Sequence, residues 1–213
     1  MRCFSITLAA VLVCIAGVAQ AQTMPGSPAL RKYVEFTIGP TFGHKSNVSL
    51  GAEGGFPLSD SFDVFVEGGR MRNVATSDLD AAAAVVAQFI AGTGEAKQSV
   101  GYFDAGLRYL IPTTGRYEPY VLAGVGVAKV SRSATFTVGG TDVTSDLLDR
   151  FGVQLGGDLL EDETKALVTF GVGARFNVRG NLVADASYRY ARIFLSEQGL
   201  NTNRLQFGIG VRF

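Results

Sequence analysis

The feature that most constrains this chain is an alternation of apolar and polar residues with a period of two, recurring along most of its 213 residues. Period two is the repeat of a β-strand, whose side chains point alternately to opposite faces. Eight segments carry it, at about 32–42, 48–57, 61–71, 98–111, 117–130, 165–177, 182–193 and 203–213. The last is the clearest. Leu205, Phe207, Ile209, Val211 and Phe213 fall on one face, and Arg204, Gln206, Gly208, Gly210 and Arg212 on the other.

The connections alternate too. Pro57-Leu58-Ser59-Asp60, Pro112-Thr113-Thr114-Gly115 and Arg179-Gly180-Asn181 are short and made of turn residues. The others, at 43–47, 72–97, 131–164 and 194–202, include two long loops. Short turns at one end and longer loops at the other fit an all-β, antiparallel, up-and-down barrel of eight strands. The long loops have structure of their own. Ser77-Asp78-Leu79-Asp80 before an Ala-rich run ending at Gly92 predicts a short helix near 78–91. Ala134–Val138, Gly139-Gly140 and Thr141–Val143 read as a hairpin, and Ser145–Phe151 as a helical turn.

Alternation does not say which face is outside. A soluble barrel turns its apolar face inward; a membrane barrel turns it to lipid. The polar face here carries Glu35, Glu53, Asp63, Glu67, Asp104 and Asp185 against Arg108, Arg175, Arg189, Arg204 and Arg212. Acids concentrate in the early strands and arginines in the late ones, and closure places the first strand beside the last. Buried charges must be paired, and this set is nearly balanced. The same face is rich in glycine, which leaves room for long side chains in a narrow interior. Tyr33, Phe42, Phe62, Tyr109, Tyr117, Tyr120, Tyr188, Tyr190 and Phe213 lie near strand ends, where aromatic girdles are expected. The eleven charged residues are therefore expected to form a structural ion-pair network in the lumen of a transmembrane barrel.

Residues 1–21 read as a cleaved signal peptide: Arg2, an apolar stretch, then Ala19-Gln20-Ala21. Val13 before Cys14 speaks against a lipoprotein signal. Residues 22–30 are expected as a periplasmic N-terminal segment, and 31–213 as the barrel. Removing the leader removes both cysteines, Cys3 and Cys14. The longest apolar stretch beyond it, Ala81–Ala91, is too short to span a bilayer as a helix.

The strand Arg204–Phe213, Pro119–Val127 and the pair Tyr188 and Tyr190 around Arg189 resemble strands of the OmpA/OmpX-like outer-membrane β-barrel superfamily. The resemblance implies a bacterial outer-membrane location and contact with outer-membrane lipid and lipopolysaccharide. It also implies reading of Leu205, Phe207, Ile209, Val211 and Phe213 by the barrel-assembly machinery. OmpA continues into a peptidoglycan-binding domain, whereas this chain is expected to be barrel only.

Chemistry is sparse. The one histidine, in Gly43-His44-Lys45-Ser46-Asn47 with Glu53 downstream, is similar to the His-x-Ser-Asn pattern of PagL-like lipid A deacylases. A Ser/His/acid set would serve acyl transfer, but the pattern lies much earlier in the chain than in that family. Arginine stays charged and is a poor proton shuttle. Asp158, Glu161, Asp162 and Glu163 are a loose acidic cluster, read as an exposed polar loop rather than a calcium site. With 19 basic and 19 acidic residues nothing points to nucleic acid. No catalytic residue, cofactor or metal is expected. The function expected is a non-enzymatic envelope scaffold presenting loops 72–97 and 131–164 to an extracellular ligand. The alternatives are a narrow channel or OmpW-like conduit for small or apolar solutes, and a lipid A-modifying hydrolase.

Overall fold

The computed structural model describes residues 32–114, 117–160, 162–195 and 199–213. The leader and the segment 22–30 lie outside them. Eight long strands form the wall: β1 (Tyr33–Phe42), β2 (Asn47–Pro57), β3 (Phe62–Met71), β4 (Thr93–Leu110), β5 (Tyr117–Val138), β7 (Glu163–Arg179), β8 (Leu182–Ile193) and β9 (Leu200–Arg212). A two-residue strand, β6 (Thr141–Asp142), pairs only with the tip of β5. Each wall strand is antiparallel to its neighbours, and β9 returns to pair with β1.

Following cross-strand partners from Tyr33 through Gly55, Phe65, Gly106, Gly124, Thr169, Ala191 and Thr202 leads back to β1 opposite residue 43. That offset is the barrel's shear, and it requires the strands to tilt by roughly 35–45°. Closure leaves no sheet edge within the wall, so the backbone groups of the crossing strands pair with one another, as hydrocarbon demands.

The two faces are sharply different. Glu35 is 1% exposed and its neighbour Phe36 is 73% exposed. Ile38, Val125, Phe170, Ile209 and Val211 share the outer face with Phe36. Phe62 and Tyr109, with ring centroids 5.1 Å apart, Tyr117, Phe176 and Phe213 form an aromatic belt at the end with short turns. Phe42, Tyr188 and Tyr190 stand outward nearer the other end. Tyr33 and Tyr120 do not join the girdle. Both are 1% exposed and point into the lumen, because each shares the strand face of the inward residues rather than that of the lipid-facing ones.

A transmembrane strand needs about 9–11 residues. β4 has 18 and β5 has 22, longer than the spans read from alternation alone. Their paired upper halves, Thr93–Ser99 with Ser131–Thr137, stand above the belt. Outward positions there turn polar: Glu95, Lys97, Ser99, Ser133 and Thr135. The ribbon ends in the turn Gly139-Gly140, with φ of 58° and 83°. Two successive positive φ values define a type I′ turn, which glycine enters without steric cost.

On this ribbon packs helix α1 (Ser77–Phe89). Thr76, not Ser77, caps it, accepting a hydrogen bond from the Leu79 N–H at 3.3 Å, and Asp78 and Asp80 face the positive end of its dipole. The left-handed residue past its C-terminus is Ala91 (φ 49°) rather than Gly92. Gly92 has a different role: a Cβ there would strike the Thr137 carbonyl. Leu79, Ala83 and Ala87 of α1 meet Ala96, Ala134 and Phe136 of the ribbon and Val143, Leu147 and Leu159 of the β5–β7 loop in an apolar core. That loop contains the 3₁₀ turn Thr144–Asp146 and the short helices α2 (Leu147–Phe151) and α3 (Gly157–Leu160). The two long loops thus build one cap with its own hydrophobic centre.

Candidate functional site

The lumen holds ten of the charged residues expected there, all at most 5% exposed: Glu35, Glu53, Asp63, Glu67, Asp104, Arg108, Arg175, Asp185, Arg189 and Arg204. Their placement follows from strand parity, since each lies on the face of its strand opposite the lipid-facing residues. Glu53 is the centre of one group, bonded to Arg108 and Arg189 and accepting a 2.6 Å hydrogen bond from the Tyr33 hydroxyl. Glu67 is the centre of another. It accepts from Arg189 at 2.6 Å, Tyr102 at 2.8 Å and Gln206 at 2.9 Å, with Arg204 at 3.4 Å.

A four-part unit recurs three times. Tyr33 lies across Gly55, Tyr102 across Gly69 and Tyr120 across Gly173, each glycine being the tyrosine's cross-strand partner. A Cβ on any of the three glycines would overlap the tyrosine ring. Each hydroxyl donates to a carboxylate: Tyr33 to Glu53, Tyr102 to Glu67, and Tyr120 to Asp185 at 2.9 Å. Each ring carries a guanidinium: Arg175 at 3.6 Å on Tyr33, Arg108 at 4.1 Å on Tyr120, Arg204 at 4.2 Å on Tyr102. Glycine makes the space, tyrosine fills it and orders the acid, and the ring face receives the cation.

Not every acid is so provided. Among the described residues neither oxygen of Glu35 has a hydrogen-bond donor, and Arg175 approaches only to 4.0 Å. Asp63 is 3.9 Å from Arg175, and Asp104 lies opposite the like-charged Glu67.

Arg212 departs from the expected network. Its side chain is 12% exposed, at the short-turn end, and pairs with Glu118, while Asn177 accepts from it at 3.0 Å. β9 simply runs out of the lumen before reaching it. The sequence pattern points to neither Glu118 nor Tyr102, places Gln206 only on the polar face of the last strand, and assigns Tyr33 and Tyr120 to the girdle. Parity contained the signal: Tyr33 alternates with Glu35, and Tyr102 with Asp104.

Above the ionic layer the lumen turns apolar. Met71, Val100, Val130, Leu167, Ile193 and Leu200 pack together beneath the cap. Phe65, Tyr120 and Leu122 form a smaller apolar cluster farther down.

His44 lies in the β1–β2 loop, 3.1 Å from Asp80 of α1. Lys45 binds the same carboxylate at 2.7 Å and the Ala96 carbonyl at 3.1 Å. These contacts tie the loop to the cap. They give the histidine a carboxylate other than Glu53, which is occupied by arginines inside the barrel. In the acidic segment near 160, Asp162 pairs with Lys129 at 2.9 Å and Glu163 with Arg132 at 3.0 Å. The hydrogen bond from Lys129 holds the Asp162 carboxyl below its usual range. Among the described residues no cluster of three potential ligands is placed to hold a metal.

A closed eight-stranded antiparallel barrel with an apolar exterior and an ionic interior is a transmembrane β-barrel. This chain belongs to the outer membrane protein beta-barrel domain family, which it matches over residues 6–213. It is an OmpA/OmpX-like barrel of the bacterial outer membrane. Its fold is similar to that of Neisserial surface protein A, with 15% identity and a TM-score of 0.55 over 88% of this chain and 99% of that one. The N-terminal barrel of Pseudomonas aeruginosa OprF gives 16%, 0.49, 86% and 97%. Ail, the attachment invasion locus protein of Yersinia pestis, gives 16%, 0.46, 86% and 97%. A comparison with the curated proteins finds no match.

Proposed function

We propose that this protein is a non-enzymatic outer-membrane scaffold whose ordered cap is presented at the cell surface for contact with an extracellular partner. The observation that carries this reading is the apolar core shared by α1, the β4–β5 ribbon and the β5–β7 loop. A loop that only connects strands has no need of a core; one that must hold a shape does. On the solvent side of α1, Val85 and Phe89 are exposed one turn apart, a pair suited to contact. The filled lumen supports the same reading over a solute conduit, because ion pairs and apolar side chains occupy the space a pathway would use. The outward row Leu205, Phe207, Ile209, Val211 and Phe213 supports recognition by the barrel-assembly machinery during insertion. The test is to replace residues 77–92 with a short turn and measure binding of the expressing cells to host-cell or bacterial surfaces. Loss of binding with an intact barrel supports the scaffold; unchanged binding removes the cap from that role.

A further inference from the structure

At the long-loop end of the barrel lies a cleft that the cap core does not fill. It measures about 220 Å³ and sits between the first turn of α1 and the upper ends of β4, β5, β7 and β9. Gln98, Arg132 and Glu163 line it from inward positions on three neighbouring strands, with Gln98 and Arg132 paired in register. Leu79 and Leu200 give it apolar walls, and Asp78 and Ala82 stand exposed at its mouth. One of these groups has no role in holding the fold. Gln98 is 2% exposed, and among the described residues its side-chain oxygen has no hydrogen-bond partner. Its backbone is held on both sides, the N–H donating to Asn73 at 3.2 Å and the carbonyl accepting from the Val74 N–H at 2.7 Å. The residue is thus fixed at the cleft wall with a buried acceptor that the protein does not use. Leaving such an acceptor unpaired is costly, and a donor from outside the chain removes that cost.

We infer that this cleft binds one uncharged sugar ring of a surface glycan, whose hydroxyls donate to Gln98 Oε1 and Asp78 and accept from Arg132. The inference rests on the reading of the cap as a surface for an extracellular partner, and it names that partner's chemistry. The charges narrow the ligand. Arg132 and Glu163 are bonded to each other at 3.0 Å, so their charges cancel within the cleft. A cationic ligand would face the Arg132 guanidinium, and a sulfate or phosphate would face Asp78 and Glu163. Hydrogen-bonding capacity remains, because Glu163 engages Nη1 of Arg132 and the guanidinium fork carries further N–H donors. A ligand here must both donate and accept without net charge, and must lay apolar surface on Leu79 and Leu200. A pyranose combines hydroxyls around its rim with C–H groups on its face. The cleft is smaller than the roughly 300–1,000 Å³ of sites for drug-sized ligands, so it takes one ring and leaves the rest of the glycan outside the mouth. A host glycan and the sugars of the bacterium's own lipopolysaccharide share this chemistry.

The test is saturation-transfer NMR on the full barrel in phospholipid nanodiscs, titrated separately with galactose, glucose, mannose and N-acetylglucosamine. At least one is expected to bind saturably and to shift the Gln98 side-chain amide resonances. Gln98→Leu removes an unpaired buried oxygen, so the barrel should keep its heat-shifted band while the Kd for that sugar rises at least fivefold. Ala82→Phe, at an exposed position of α1, closes the mouth and should abolish binding. Galactose 6-sulfate and the zwitterion alanine should bind more weakly than the neutral sugar. Repeating the titration in nanodiscs that contain intact lipopolysaccharide separates the two sources: competition identifies the bacterium's own glycan, and an unchanged Kd an external one. No saturable binding by any of the four sugars, an unchanged Kd in either folded variant, or tighter binding of the sulfated or zwitterionic probe would each overturn the proposal. Replacement of residues 77–92 judges the scaffold separately: cell binding lost on that replacement, with no sugar bound by the wild type, ends the glycan site and leaves the scaffold standing.

Discussion

Tyr120 lies across Gly173, its partner on the neighbouring strand, where any side chain at 173 would overlap the tyrosine ring. The relationship couples two strands through the lumen, since the same tyrosine orders Asp185 and supports Arg108. Gly173→Ala should therefore destabilise the barrel by about 1–3 kcal/mol through overpacking. Tyr120→Phe, which keeps the ring and removes only the donor, should cost about 1–3 kcal/mol by leaving a buried carboxylate unsatisfied. Urea unfolding in lipid vesicles, followed by the heat-shifted band, measures both. A Gly173→Ala barrel with an unchanged midpoint would refute the packing argument.

Glu53 and Glu35 are both buried carboxylates on adjacent strands, yet opposite outcomes are expected on neutralising them. Glu53→Gln removes the partner of two buried guanidiniums and should cost about 3–5 kcal/mol. Glu35→Gln removes a charge without a hydrogen-bond donor and should be neutral or stabilising. The same vesicle assay, run on the pair side by side, decides it; equal losses would mean that the lumen treats its acids alike.

The cap and the barrel should separate in their response to Phe136→Ala. Phe136 is buried in the cap core, above the membrane belt, and truncating such a residue costs about 3–5 kcal/mol. Limited proteolysis of intact cells should then show faster cleavage within 72–92 and 139–162, while the heat-shifted band persists. Loss of the folded band would place the cap core among the requirements of the barrel.

Planar bilayers containing the purified protein should show no steady single-channel steps, because the ionic layer and the apolar layer above it occupy the axis. Reproducible unitary conductance would favour the conduit reading. Lipid A mass spectra from cells expressing wild type and His44→Ala should coincide, the histidine serving to hold the β1–β2 loop on Asp80. Any difference dependent on His44 would reopen the hydrolase reading.

Period two was enough to place Phe36, Ile38, Phe207 and Ile209 on one surface and Glu35, Arg204 and Gln206 on the other, because alternation along a strand is local geometry. The turn at Gly180 and the helix in the β3–β4 loop were legible for the same reason: turn and capping preferences act over a few residues. The identity of the partners was not. Glu53 meets Arg189, far along the chain, only because shear and closure bring β2 and β8 to face each other across the lumen. Tyr33 and Tyr120 looked like girdle residues, since an aromatic near a strand end is ambiguous until parity is joined to register. Arg212 had the right face and the wrong height. Which face a side chain takes is written in its immediate neighbours; whom it meets there depends on how far each strand slides past the next, and that is settled only when the cylinder closes.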